Sequence, residues 1–272
     1  DDEAPRPTAR VRDGTGRLDE NGATADGKSQ ILNELGDFTF EFYDRIDADG
    51  ENVFFSPWSI SCALAMAYEG ARGRTAEEIA TVFQLPQDDS VRRGSFASVY
   101  NQLNEERSEY DLRTANAFWA QEDYKLLANY TDVLERYYSA EARNLNFAGD
   151  PEGSRGTIND WVESQTHDRI TDLLPHGSID ALTRLVLTNA IYFNGTWLKP
   201  FNPEDTVDRP FWATQAQSVQ APTMSRTDAN STFNYAETDG FQAIELPYDR
   251  GELSMLVLLN VAFLQADSPA VA

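Results

Sequence analysis

Apolar positions along the chain fall into two spacings. From Ile31 to Ile46 they occur at Ile31, Leu35, Phe38, Phe42 and Ile46. Steps of three and four predict an amphipathic helix, ended by Asp47-Ala48-Asp49-Gly50. Val53-Phe54-Phe55 predicts a short buried strand. Ser56 followed by Pro57 is a helix start, with serine at the cap and proline at the first helical position. Ile60, Ala63, Leu64, Ala67, Tyr68 and Ala71 follow, with small residues and Met66 on the other side. A helix apolar nearly all round is expected at the centre of a large fold. Thr75-Ala76-Glu77-Glu78 predicts a capping box, and Leu85-Pro86 closes the helix it opens. A further helix is expected from about Gly94 to Asn104.

The pattern then shifts toward strands. The run 110–121, "YDLRTANAFWAQ", is β-rich, a helix fits 128–138 and a strand fits 141–147. Over 154–174, Ile158, Trp161, Val162, Ile170 and Leu173 share one helical face. Residues 184–197 are apolar on both faces of a strand, which predicts a place inside a sheet covered on each side. Strands are expected over 211–219, 231–236, 241–248 and 253–259. No internal repeat is present. Helices early and strands late give an α+β architecture.

Both ends differ from this pattern. Residues 1–28 hold Asp-Asp-Glu, two prolines and four glycines, with almost no large apolar residue. They are expected to be a disordered acidic and polar leader, with order beginning near Ser29. The last twelve residues, "VAFLQADSPAVA", show neither strand alternation nor a helix face.

Composition narrows the partners. The chain has 272 residues, 41% of them hydrophobic, enough for one large domain or two small ones. No apolar run approaches the length of a bilayer span, which predicts a soluble protein. The net charge is −23, against about 2–8 in magnitude for a small domain. Lysine is confined to Lys28, Lys125 and Lys199. Nucleic acid is excluded as a default partner, because phosphate binding needs a basic surface. Such self-repulsion is relieved by salt, so a salt-loving host is expected.

Candidate chemistry is sparse. Cys62 stands alone in an apolar helix and is expected to be a buried, inert thiol. His167 and His176 are the only histidines, and no Gly-x-Ser-x-Gly elbow accompanies them. They also lack zinc-motif spacing. No metal and no cofactor is expected. Asp88-Asp89 is expected on a solvated surface. Asn-x-Thr acceptor sequences begin at Asn129, Asn194 and Asn230, and they matter if the chain is exported. Asn194 is also expected to make the Asn-Gly turn after the long strand.

The stretch "NVFFSPWSISCALAMAYEGARGRTAEEI" resembles the serpin family of serine protease inhibitors. Three further stretches agree in order and spacing. "INDWVESQTHDRITDLLP" resembles the helix that crosses the main sheet. "LVLTNAIYFNGTWLKPF" resembles the central strand and its turn, and "FQAIELPYDRGELSMLVLLN" two neighbouring strands of the second sheet. The resemblance spans 29–260 and implies a serpin-like α+β fold, with mixed and antiparallel sheets and an N-terminal helical cluster. It implies a buried polar network, the shutter, at Ser56, Ser59 and Asn189. It places Trp197 at the top of the sheet, the breach. The implied mechanism is single-use inhibition rather than enzymatic turnover. A protease attacks a reactive loop, which then inserts as an extra strand. The implied partner is a subtilisin-like or trypsin-like serine protease, met outside the cell or at its surface by a monomer. After Leu259 the family's hinge, reactive loop and last strands find no match. No reactive bond is therefore expected within this sequence. The alternative is a non-inhibitory serpin-derived binding protein or a truncated remnant.

Overall fold

The computed structural model describes residues 17–46, 52–214, 217–228 and 232–260. The expectations for 1–16 and 261–272 lie outside these residues. The chain divides into two compact units. One comprises Asp1–Glu106 and Leu112–Tyr192, the other Arg107–Asp111 and Phe193–Ala272.

The first unit carries the helices. Helix α1, Ala25–Arg45, starts before the expected Ser29 because Thr24 caps it, accepting from the Gly27 N–H. Order begins earlier still. Leu18 is buried, and its N–H donates to the Asn101 side chain at 2.8 Å. Helix α2, Pro57–Gly70, starts as predicted, with Ser56 accepting from the Ser59 N–H at 3.2 Å. Its buried face, however, is Trp58, Ser61, Cys62, Ala65, Met66 and Glu69. The face bearing Ile60, Ala63, Leu64 and Ala67 is only half-buried. All-round burial is therefore corrected to burial on one face. Helix α3, Arg74–Val82, does not use the predicted capping box. Gly73 takes the cap position at φ +57°, and the helix begins two residues early, without a side-chain cap. Helix α4, Asp89–Leu103, also starts earlier than expected, because Asp88 accepts from the Ser90 and Val91 N–H groups. Helix α5, Ala128–Tyr138, has the predicted bounds.

Helix α6 runs only from Pro151 to Gln165, well short of residue 174. His167 and Asp168 both take left-handed backbone angles, φ 49° and 59°. The Thr166 hydroxyl folds back onto the Val162 carbonyl at 2.9 Å. Ile170 and Leu173 therefore leave the face that Ile158 and Val162 bury. The expected strand at Val53-Phe54-Phe55 is absent. The segment pairs with no strand among the described residues, and Phe54 is fully exposed.

Three strands lie mostly in this unit. They are β1, Tyr110–Gln121, β2, Ala140–Leu145, and β3, Leu185–Gly195, in the order β2-β1-β3. Strands β1 and β2 are parallel, with Asn116 opposite Ala140 and Gln121 opposite Leu145. Strand β1 is buried over its second half. Strand β3 departs from the expected two-sided cover. Thr188 and Ala190 are buried, but Leu185 is exposed. Among the described residues the strand has a neighbour on one flank. Asn194 and Gly195 are its last two residues rather than a turn. The main core joins Trp58, Met66, Phe96, Leu134 and Tyr138. A smaller one joins Trp119, Phe147, Ile158 and Ile179.

The second unit is mainly strands. The run expected as one strand over 211–219 belongs to two, β4, Val207–Thr214, and β5, Gln217–Thr223. These pair antiparallel, with Thr214 opposite Gln217. Polar Thr214, Gln215 and Gln217 interrupt the apolar pattern there. Strands β6, Asn234–Glu237, β7, Phe241–Pro247, and β8, Ser254–Asn260, form an antiparallel sheet in chain order.

Candidate functional site

Among the described residues the three shutter positions bond to different partners. Ser56 and Ser59 meet through the helix cap alone. Asn189, on β3, donates its Nδ2 to Asn116 Oδ1 at 2.6 Å. Asn116, on β1, passes its own Nδ2 to the Tyr138 carbonyl at 2.7 Å. The chain of amides thus runs from β3 through β1 to the end of α5. Among the described residues no hydrogen bond joins Ser56 or Ser59 to Asn189. The Asn189 Oδ1 is buried without a partner. A buried acceptor left unsatisfied costs about 1–3 kcal/mol. One residue away, Trp119 Nε1 donates to Thr188 Oγ1 at 2.9 Å, a second side-chain link between β1 and β3. Trp119 meets Trp161 of α6 edge-on at 5.7 Å.

Trp197 belongs to the second unit. Its ring stacks on Tyr248 at 4.3 Å, inclined by 13°, and the two residues form a backbone bridge. Phe193 meets the same tyrosine edge-on at 4.8 Å and faces Tyr110 at 6.3 Å. Glycine at 195 makes this ladder possible. A Cβ there would lie 2.8 Å from the Phe193 ring and 3.0 Å from the Tyr248 ring.

A buried ion cluster escaped the sequence analysis. Glu69 of α2 accepts from Arg92 Nε and Nη2 on one oxygen, at 3.1 and 3.0 Å. Its other oxygen accepts from Arg93 Nε and Nη2, at 3.0 and 2.7 Å. The Tyr138 hydroxyl donates to the oxygen that Arg92 holds, at 3.0 Å, and the Arg92 guanidinium lies over the Tyr68 ring. The Glu69 and Arg92 side chains are each 1% exposed. Burial works against the Arg92 charge, but Glu69 and Asp89 outweigh it and hold the guanidinium protonated well above its usual range. Burial, and then the Glu69 charge, push the Tyr138 phenol up. Asp89, expected to be merely solvated, bonds both arginines at 2.7 and 3.0 Å. The Arg92 hydrogen bond leads in holding its carboxyl below the usual value. The available signal was Glu69 itself, which continues the spacing of Cys62, Ala65 and Met66 along one helix face.

The remaining candidates carry no assembled chemistry. Cys62 is buried, and burial pushes its thiol up. His167 rests edge-on to Tyr192 at 4.7 Å. His176 is exposed, 3.8 Å from Glu152. Among the described residues no three His, Cys, Asp or Glu side chains are grouped to hold a metal. No described helix is long and apolar enough to cross a membrane.

The sequence matches the family model for serpins, described as serine protease inhibitors, over residues 33–265. The chain belongs to the serpin family. An uncharacterized serpin-like protein of Methanosarcina acetivorans is 40% identical over 92% of this chain, which spans 60% of that relative. One from Thermococcus kodakarensis is 42% identical over 84% of this chain, which spans 53% of it. The chain thus covers little more than half the length of these serpin relatives. Emu ovalbumin superposes with a TM-score of 0.76 at 29% identity, covering 90% of this chain and 66% of that one. The serpin-like α+β fold follows from these matches. Strands β1 and β3 are neighbours in the three-stranded sheet, and the Asn189–Asn116 link joins them.

Proposed function

We propose that this chain is the larger part of a serpin-type inhibitor that traps a serine protease once, as a suicide substrate. A protease attacks a reactive loop, and the loop then inserts as a new strand of the main sheet. The observation that carries the reading is the serpin match over residues 33–265. The reactive bond then belongs to a longer product than the 272 residues here. The native form persists behind a kinetic barrier rather than through an equilibrium preference. The target is a subtilisin-like or trypsin-like enzyme, met by a monomer outside the cell or at its surface. The strongly negative net charge fits a saline setting.

A serpin-derived binding protein without inhibitory action is the second reading. It is favoured by β8, whose Met255, Leu256, Val257, Leu258 and Leu259 are all exposed. The test is to mix the product isolated from its native host with trypsin and with subtilisin, then boil in detergent. The first reading predicts a one-to-one covalent band and loss of protease activity. Cleavage of the product with full recovery of active protease contradicts it and supports the second.

A further inference from the structure

We infer that Asn194 is an acceptor for an asparagine-linked oligosaccharide and that Asn129, with the same sequence signature, is not. The inference rests on the extracellular setting proposed above. The sequence holds Asn129-Tyr130-Thr131, Asn194-Gly195-Thr196 and Asn230-Ser231-Thr232, each an Asn-x-Thr acceptor signature. The third begins outside the described residues, so the first two can be compared.

The transfer defines what an acceptor must present. A bond forms between the asparagine Nδ2 and the anomeric carbon of a polyprenyl-phosphate-linked oligosaccharide. The bond from that carbon to the phosphate oxygen breaks, and the lipid phosphate leaves with the electron pair. The amide gives up one proton to a base of the transferase. No oxidant or reductant is involved. The asparagine amide and the hydroxyl two residues on must both be reachable and free.

Asn194 meets these conditions. It is exposed at the end of β3, Thr196 is exposed just past the strand, and Gly195 between them has no side chain to obstruct access. No hydrogen bond holds the Asn194 amide or the Thr196 hydroxyl among the described residues, whereas the Thr196 carbonyl is fixed by the Asp249 N–H at 2.8 Å. The backbone is thus anchored while both reacting side chains stay free. Asn129 is exposed too, but it lies in the first turn of α5. There the Thr131 hydroxyl donates to the Ala128 carbonyl at 3.0 Å. The Tyr130 hydroxyl donates to the Met66 carbonyl of α2 at 2.9 Å. Presenting this site would require opening the turn and releasing Tyr130 from the core it packs against.

The test uses the product made in its native host, separated into culture fluid and cells, digested, and read by peptide mass spectrometry. The expected result is carbohydrate on the Asn194 peptide and a bare Asn129 peptide, with the addition abolished in an Asn194→Gln variant and retained in Asn129→Gln. A bare Asn194 peptide, or carbohydrate on Asn129 alone, overturns the assignment. The fraction that holds the protein tells the two failures apart. Protein in the culture fluid with a bare Asn194 fails the site, whereas protein confined to the cells fails the export reading.

Discussion

The two units of the chain use similar apolar strands and reach opposite degrees of burial. Every buried residue among those described lies in the first unit, where helices α2, α4 and α5 close over strand β1. In the second unit none of the described residues is buried. Strand β8 makes the contrast plain. Ser254–Asn260 has the apolar content of a core strand, yet Leu256 and Leu258 are 63% and 57% exposed. Their neighbours Met255, Val257 and Leu259, which point to the other face of the sheet, are also exposed. The second unit is held by backbone ladders, by the Trp197–Tyr248–Phe193 rings and by ion pairs such as Arg107–Glu252 at 3.1 Å. Hydrophobic stabilisation scales with the apolar area removed from water, so the first unit should hold most of the chain's stability.

The largest expected effect is at the buried ion cluster. Glu69→Ala leaves Arg92 buried without its main counter-charge. Urea unfolding should show a loss of about 3–5 kcal/mol, the usual result of removing one member of a buried pair. A loss under about 1 kcal/mol would mean that water reaches the cluster. A matched pair of leucines then tests the comparison between units. Leu134→Ala, fully buried in the first unit, should cost about 2–5 kcal/mol, whereas Leu258→Ala should stay within about 0.5 kcal/mol. Equal costs would break the contrast.

Gly195→Ala should cost about 1–3 kcal/mol by overpacking against the Phe193 and Tyr248 rings, with a changed near-ultraviolet signal from the Trp197 stack. Gly156→Ala is the control. It sits in α6 with open space around it, and alanine there should stabilise by about 0.5–1 kcal/mol. The smallest effect is at Ser56→Ala, about 1 kcal/mol for a lost helix cap. A much larger loss would show that the hydroxyl also serves a buried network, as the shutter resemblance implies.

Local signals made much of the first unit legible. Strand β1 and helix α5 have the predicted bounds, because each is a strongly patterned segment with clear ends. Errors arose where a backbone choice leaves no trace in composition. The left-handed pair His167-Asp168 stops α6 without a glycine, and Gly73 displaces the capping box of α3. All-round burial of α2 was expected because Ile60 and Leu64 are as apolar as the face of Cys62, Ala65 and Met66 that is buried. Glu69, the acidic residue on the face that is buried, has no apolar signal of its own to mark it. The resemblance found the serpin fold, but three residue types could not reveal which amide Asn189 would bond. Its partner, Asn116, lies 73 positions away, a pairing that only the β1–β3 neighbourhood brings about.

The proposed function predicts that β8, an apolar strand exposed on both faces here, is covered in a longer serpin product. Amide hydrogen exchange, read by mass spectrometry over Ser254–Asn260, tests this most directly. The 272-residue chain should exchange these amides orders of magnitude faster than those of β1, while the native-host product should protect them to a similar extent as β1. Equal exchange of β8 in the two forms would contradict the account.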